Sequence, residues 1–324
     1  MRNVEMKHIF MGVLATIFAH PSFATGLVSL PSTGASATSA YLTCHVRNNF
    51  GSSGVQIPNT TTDNNCATFP ANELTSPVSG YTLIASANRS VVMNNTYTNN
   101  TSITVGTVWD RVWRNAAGTS CIYGTKFVPN SNDYRPTVTG TQYFEVNDIA
   151  RGGFSGSGTV NVGYFTPITT PPTSPVYRIG RTYTSVQHRA LKYDTAANKA
   201  LVGTNYEALP PSAGGSTASI NGEDFEIAAS TTAVTSAANQ TAAVDSNWVD
   251  FTTDAVWADD DGQTSPNSAM TYIEAACTTA APVAVNDAIR LRQTAQEFAR
   301  FIQVSVPGFV PPGGTASPAP VVPF

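Results

Sequence analysis

SITVGTVWDRVWR, residues 102–114, is the stretch that decides the fold. Ile103, Val105, Thr107, Trp109, Arg111 and Trp113 alternate onto one face of an extended chain, while Val108 and Val112 share the other with Asp110 and Arg114. Successive side chains of a strand point to opposite faces, so this period of two reads as β. Large apolar groups on both faces mark a strand covered on two sides. The stretch predicts an interior strand with material packed against each surface.

Outward from it, short alternating runs separated by turn residues recur along the chain. Strands are expected over Tyr41–Val46, Tyr81–Ala85, Cys121–Val128, Gln142–Val146, Thr159–Phe165, Val176–Thr182 and Thr271–Cys277. The glycines of Gly152-Gly153-Phe154-Ser155-Gly156-Ser157-Gly158 supply the positive φ values of a hairpin loop, and Asn221-Gly222 marks a second tight turn. Residues 210–245 shift toward Ala, Ser and Thr and read as an insertion or linker. Ala288, Leu291, Ala295, Phe298 and Ile302 recur at helical spacing, with Asn286 or Asp287 as cap. The alternation of Ile289, Arg290, Leu291 and Arg292 leaves a strand open at the same place. The fold class is all-β: an antiparallel sandwich or jelly-roll-like body with an irregular insertion and one candidate C-terminal helix.

Arg2 and Lys7 precede an apolar run from Ile9 to Ala19, followed by Pro21, Ser22, Phe23 and Ala24. This is the pattern of a secretory leader of bacterial type over residues 1–24, with the mature chain starting at Thr25. A bilayer span needs about 20 apolar residues, more than this run holds. A flexible lead-in (25–39), a main β domain (40–209), the insertion (210–245), a C-terminal part packing on the main domain (246–306) and a Pro/Gly-rich tail (307–324) follow. The expected location is secreted: periplasmic, extracellular or at the cell surface.

Charged residues are only 12% of the chain and the formal net charge is −4, which predicts no nucleic-acid partner. Cys44, Cys66, Cys121 and Cys277 all follow the leader, and an even count in an oxidising compartment favours disulfides. Of the three possible pairings, Cys44 with Cys66 and Cys121 with Cys277 is preferred, because the first pair brackets a Gly/Asn/Thr-rich loop.

Candidate chemistry is sparse. Only His45 and His188 follow the leader, HExxH is absent, and Ser155 and Ser157 lie in a glycine-rich loop without a GxSxG elbow. Asp250, Asp254, Asp259, Asp260 and Asp261 form the densest acidic stretch. Asp254, Asp259 and Asp261 are candidate calcium ligands, against a solvated Asp-rich turn, since the spacing does not fit an EF-hand loop. The same carboxylates with Glu274 or Glu297 are a conceivable glycosidase pair. Trp109, Trp113, Tyr97, Tyr123, Tyr134, Tyr143 and Tyr164 are candidates for stacking on sugars, against roles in the core. The expected function is a non-enzymatic surface or extracellular binding or structural protein, with carbohydrate or another surface protein as partner. The alternative is a carboxylate-dependent hydrolase or carbohydrate-binding module acting on polysaccharide.

Overall fold

The computed structural model describes residues 26–35, 40–44, 66–167, 176–183, 185–186, 188–190, 193–194, 199–200, 206–208, 244–258, 267–293 and 302–316. The leader, His45, the Asn221-Gly222 turn, nearly all of the 210–245 insertion, Asp259 to Asp261, Glu297 and the tail beyond 316 lie outside the described residues.

Two antiparallel six-stranded sheets pack face to face. The first runs in the order β1 (Val28–Leu30), β7 (Val160–Phe165), β14 (Met270–Ala276), β5 (Ser120–Pro129), β4 (Ile103–Asn115) and β3 (Tyr81–Met93). The second runs β16 (Ile302–Val310), β15 (Val283–Gln293), β6 (Val146–Gly152), β13 (Trp248–Ala255), β8 (Arg178–Gly180) and β2 (Tyr41–Thr43). Two small ladders, β9 (His188–Ala190) with β12 (Tyr206–Ala208) and β10 (Tyr193–Asp194) with β11 (Lys199–Ala200), are the other strands among the described residues. Among the described residues no helix is long and apolar enough to cross a membrane.

The deciding stretch is a strand next to the edge, covered on both faces as its pattern requires. Val108 and Val112 enter the core between the sheets, while Trp109 and Trp113 lie on the outer surface beneath residues 72–78. Trp113 Nε1 donates to the Leu74 carbonyl at 2.9 Å and fixes that cover. One detail differs from simple alternation. The β3–β4 register shifts between Val91 and Val92, so Ile103 and Val105 turn into the inter-sheet core instead of joining Trp109 and Trp113. Gly106 sits at the shift, where a Cβ would come within 2.5 Å of the Phe127 ring. An irregular step of this kind flips the phase of the strand beyond it.

The glycine-rich segment is not a hairpin loop. β6 belongs to the second sheet and β7 to the first, so residues 153–159 carry the chain across the sandwich. Gly153 (φ 105°) cannot take a side chain, since a Cβ would stand 2.5 Å from Val310. Arg181 holds this corner by donating to the carbonyls of Phe154, Gly158 and Ser246. Burial pulls its guanidinium down to about 10.

The candidate C-terminal helix is also replaced. Residues 283–293 form β15, paired with β6 on one side and β16 on the other, and residues 294–301 lie outside the described ones. Leu291 and Ile289 face the inter-sheet core while Arg292 faces the opposite surface, so the alternation outweighs the helical spacing. Asp287, read as a cap, takes φ 61° in the irregularity between Val285 and Ile289. Asp tolerates this left-handed conformation better than most residues, whereas its value as a cap would have come from its side-chain oxygen. Val28–Leu30, inside the expected flexible lead-in, pairs with β7, and β16 reaches Val310, inside the expected tail.

Both disulfides join the preferred partners. Cys44–Cys66 closes a loop of 22 residues and Cys121–Cys277 one of 156. In the chain-entropy picture they restrict the unfolded chain by about 3 and about 5 kcal/mol.

Candidate functional site

β6 carries charge on both faces, and its surroundings decide what those charges can do. Arg151 points between the sheets and donates to Asp110 Oδ1 at 2.9 Å, to the Phe309 carbonyl at 2.6 Å, to the Gly124 carbonyl at 3.2 Å and to the Thr125 hydroxyl. Asp110 also accepts from Arg89 Nε and Nη2 at 3.2 and 3.1 Å and from the Phe309 N–H at 2.8 Å. One fully buried carboxylate therefore ties β4, β6, β3 and β16 together.

On the opposite face of the second sheet, Arg292 Nη1 stands 3.4 Å from both Asp148 Oδ1 and Asp250 Oδ1. Tyr183 lies over the guanidinium at 4.5 Å, and the Val186 N–H donates to Asp250 Oδ2 at 2.9 Å. All three charged side chains are fully buried. Burial and the neighbouring Asp148 raise the Asp250 carboxyl well above the usual range, against the pull of Arg292 and the Val186 N–H. Burial works against the Arg292 charge, but the two carboxylates outweigh it and raise its pKa. Asp148 was not singled out from the sequence, because an aspartate inside a run with no alternation looks like a loop residue.

The sequence candidates disperse. Asp250 lies in β13 within this buried cluster; Asp254 lies half-buried later in the same strand, near enough to Tyr177 to raise its pKa along with burial. Asp259 and Asp261 lie outside the described residues, and among those described no group of three or more His, Cys, Asp and Glu is placed to hold a metal. Glu274 accepts from the hydroxyls of Tyr81 and Ser120 and from Asn161 Nδ2, which ties down three strands of the first sheet. Trp113, Tyr123, Tyr134 and Tyr164 are core residues. Trp109 is half-buried between Arg111 and Lys126, and Tyr97 packs under Arg135. Ser155 and Ser157 form a single 3-10 turn at the corner, and the backbone of His188 is in β9.

The concave surface is elsewhere. At the end of the sandwich where β14 runs into β15 and β16 runs into its following turn, a cleft of about 430 Å3 opens between the two sheets. Tyr123, Val285 and Val310 line it with the Cys121–Cys277 bridge; residues 280–283 and 311–315 form its rim. Pro311-Pro312-Gly313-Gly314 is a tight turn closed by the Gly314 N–H donating to the Pro311 carbonyl at 2.9 Å, with Gly313 at φ 76°. A smaller recess of about 300 Å3 adjoins it across this turn, lined by Ser155, Gly156 and Cys277 among others. No family model, curated protein or solved structure matches this chain.

Among the described residues, the single charged side chain lining the larger cleft is Arg114. Its terminal nitrogens donate to the carbonyls of Thr279 and Ala280 and so brace the rim. Burial pushes the Tyr123 phenol up to about 12, with Arg151 and Arg114 pulling the other way. This is a surface of aliphatic, proline and backbone groups with one cation at its side. Such a lining excludes water from an apolar ligand and orients it through one polar contact. The sequence hid it because its apolar residues read as ordinary strand interior and its rim fell in a Pro/Gly-rich segment expected to be extended.

Proposed function

We propose that this chain is an exported, non-enzymatic binding protein whose ligand or partner segment sits in the cleft beside the Cys121–Cys277 bridge. One observation carries the reading: the cleft of about 430 Å3 is mainly apolar, with Arg114 its one charge among the described residues, while the buried carboxylates Asp110, Asp148 and Asp250 hold strands to one another. A volume of about 430 Å3 falls in the usual range for a small-molecule or anchor-residue site. The two disulfides and the leader pattern support placement outside the cytoplasm.

The ligand class that suits this lining is an aliphatic group bearing one anionic or hydrogen-bond-accepting end, directed at Arg114. Calorimetric titration with dodecanoate tests it. The expected result is saturable one-to-one binding that weakens at least tenfold in Val285→Arg, which fills the cleft with a charge, and less in Arg114→Gln. Absence of saturable binding by the wild-type chain, or equal binding by Val285→Arg, overturns the assignment.

A further inference from the structure

We infer that the Cys121–Cys277 bridge is a thiol-exchange site, taking a small thiol as a mixed disulfide on Cys277. The two bridges differ in exposure. Both sulfurs of Cys44–Cys66 are sealed in the core, whereas Cys277 is half-buried and lines both the larger cleft and the recess beside it, with Cys121 at 1% exposure beneath it. Exchange needs a thiolate to approach one sulfur in line with the bond it breaks. Of the four cysteines, Cys277 is the one with substantial exposure, and it lines the cleft.

The step balances without any further oxidant or reductant. An incoming thiolate attacks the Cys277 sulfur, the Sγ–Sγ bond breaks, and Cys121 leaves as a thiolate carrying the electron pair. Cys121 stands directly opposite Arg114 in the β4–β5 register, and both line the same cleft. A cation beside the departing sulfur stabilises its charge and speeds its release. Cys277 lies just past the end of β14, where its N–H donates to the Thr119 carbonyl at 3.0 Å, and the residues after it form the cleft rim. Opening the bridge removes the covalent tie between the rim and β5, while the Cys277–Thr119 and Arg114 hydrogen bonds and the pairs of β14 with β5 and β7 remain. The inference needs only the exposure of Cys277, so it stands whether or not the cleft holds dodecanoate.

Folded, oxidised protein incubated with reduced glutathione, quenched with N-ethylmaleimide in native buffer and mapped by mass spectrometry tests it. The expected products carry glutathione on Cys277 and maleimide on Cys121, with Cys44–Cys66 intact and the circular-dichroism spectrum retained. Glutathione on Cys121, loss of Cys44–Cys66 at the same rate, or no adduct before the chain unfolds overturns it. Arg114→Gln should slow the exchange about threefold, an effect that shrinks in high salt. An unchanged rate overturns the role given to Arg114.

Discussion

The two faces of β6 carry charge clusters of opposite make-up. Between the sheets, one carboxylate, Asp110, serves two guanidiniums, those of Arg151 and Arg89. On the outer face, one guanidinium, that of Arg292, serves two carboxylates, Asp148 and Asp250. The surplus of the first cluster is positive, and Arg89 reaches partial solvent. The surplus of the second is negative and rests on a carboxyl that can take a proton. The first cluster therefore acts as a fixed pin between the sheets, and the second is responsive to pH. Both are committed to architecture, whereas the proposed binding surface is the cleft, which neither cluster lines.

The largest effect is expected from Asp110→Ala. It leaves Arg151 buried without its counter-charge and removes an acceptor from Arg89 and Phe309, so it should cost about 3–5 kcal/mol in urea unfolding. A cost below about 1 kcal/mol would mean that the sheets are not pinned there.

The pH response comes next in size. Because the folded-state pKa of Asp250 is raised, its contribution to stability is fully present below the unfolded carboxylate range and is lost as pH rises through the folded value. Stability should therefore fall with rising pH over that interval. In Asp250→Asn this component should vanish, leaving a flatter profile from the same urea titrations. Superimposable profiles would sink the shared-proton picture, in which the proton belongs to the Asp148–Asp250 pair.

Arg89→Met should cost less than about 1 kcal/mol, since the pair is partly solvated and Arg151 remains on Asp110. A cost matching that of Asp110→Ala would show that Arg89, not Arg151, is the main partner. The smallest expected effect is that of a chelator on the melting temperature. Asp254 is placed near Tyr177, and an acidic stretch whose spacing fits no EF-hand loop predicts an unchanged melt. A drop of several degrees would instead establish calcium at Asp254, Asp259 and Asp261.

The same contrast explains what was legible in the sequence. The β4 stretch announced itself because its apolar residues alternate, and the strands at Cys121, Thr159 and Thr271 did so for the same reason. β6 was placed only at its first residue, since VNDIARG is buried along its whole length and its polar residues sit in ion pairs that no local pattern reveals. β13 was read as an acidic turn because Asp250 and Asp254 stand in a strand whose outer face is covered. The cysteine pairing was legible from spacing. The cleft was not, because it is made by the meeting of strand ends far apart in sequence, and each of its apolar residues taken alone resembles core. A helix at Ala288 was suggested by spacing that β15 also satisfies, and pairing with β6 and β16 decided between them.

In the proposed division of labour the carboxylate clusters hold the sandwich together and the cleft binds the ligand. Backbone amide chemical shifts recorded during a dodecanoate titration test it most directly. Saturable shifts should concentrate at residues 121–123, 277–285 and 310–315, with those of Asp148 and residues 248–254 unmoved. Shifts centred on Asp148 and Asp250, or none that saturate, would contradict it.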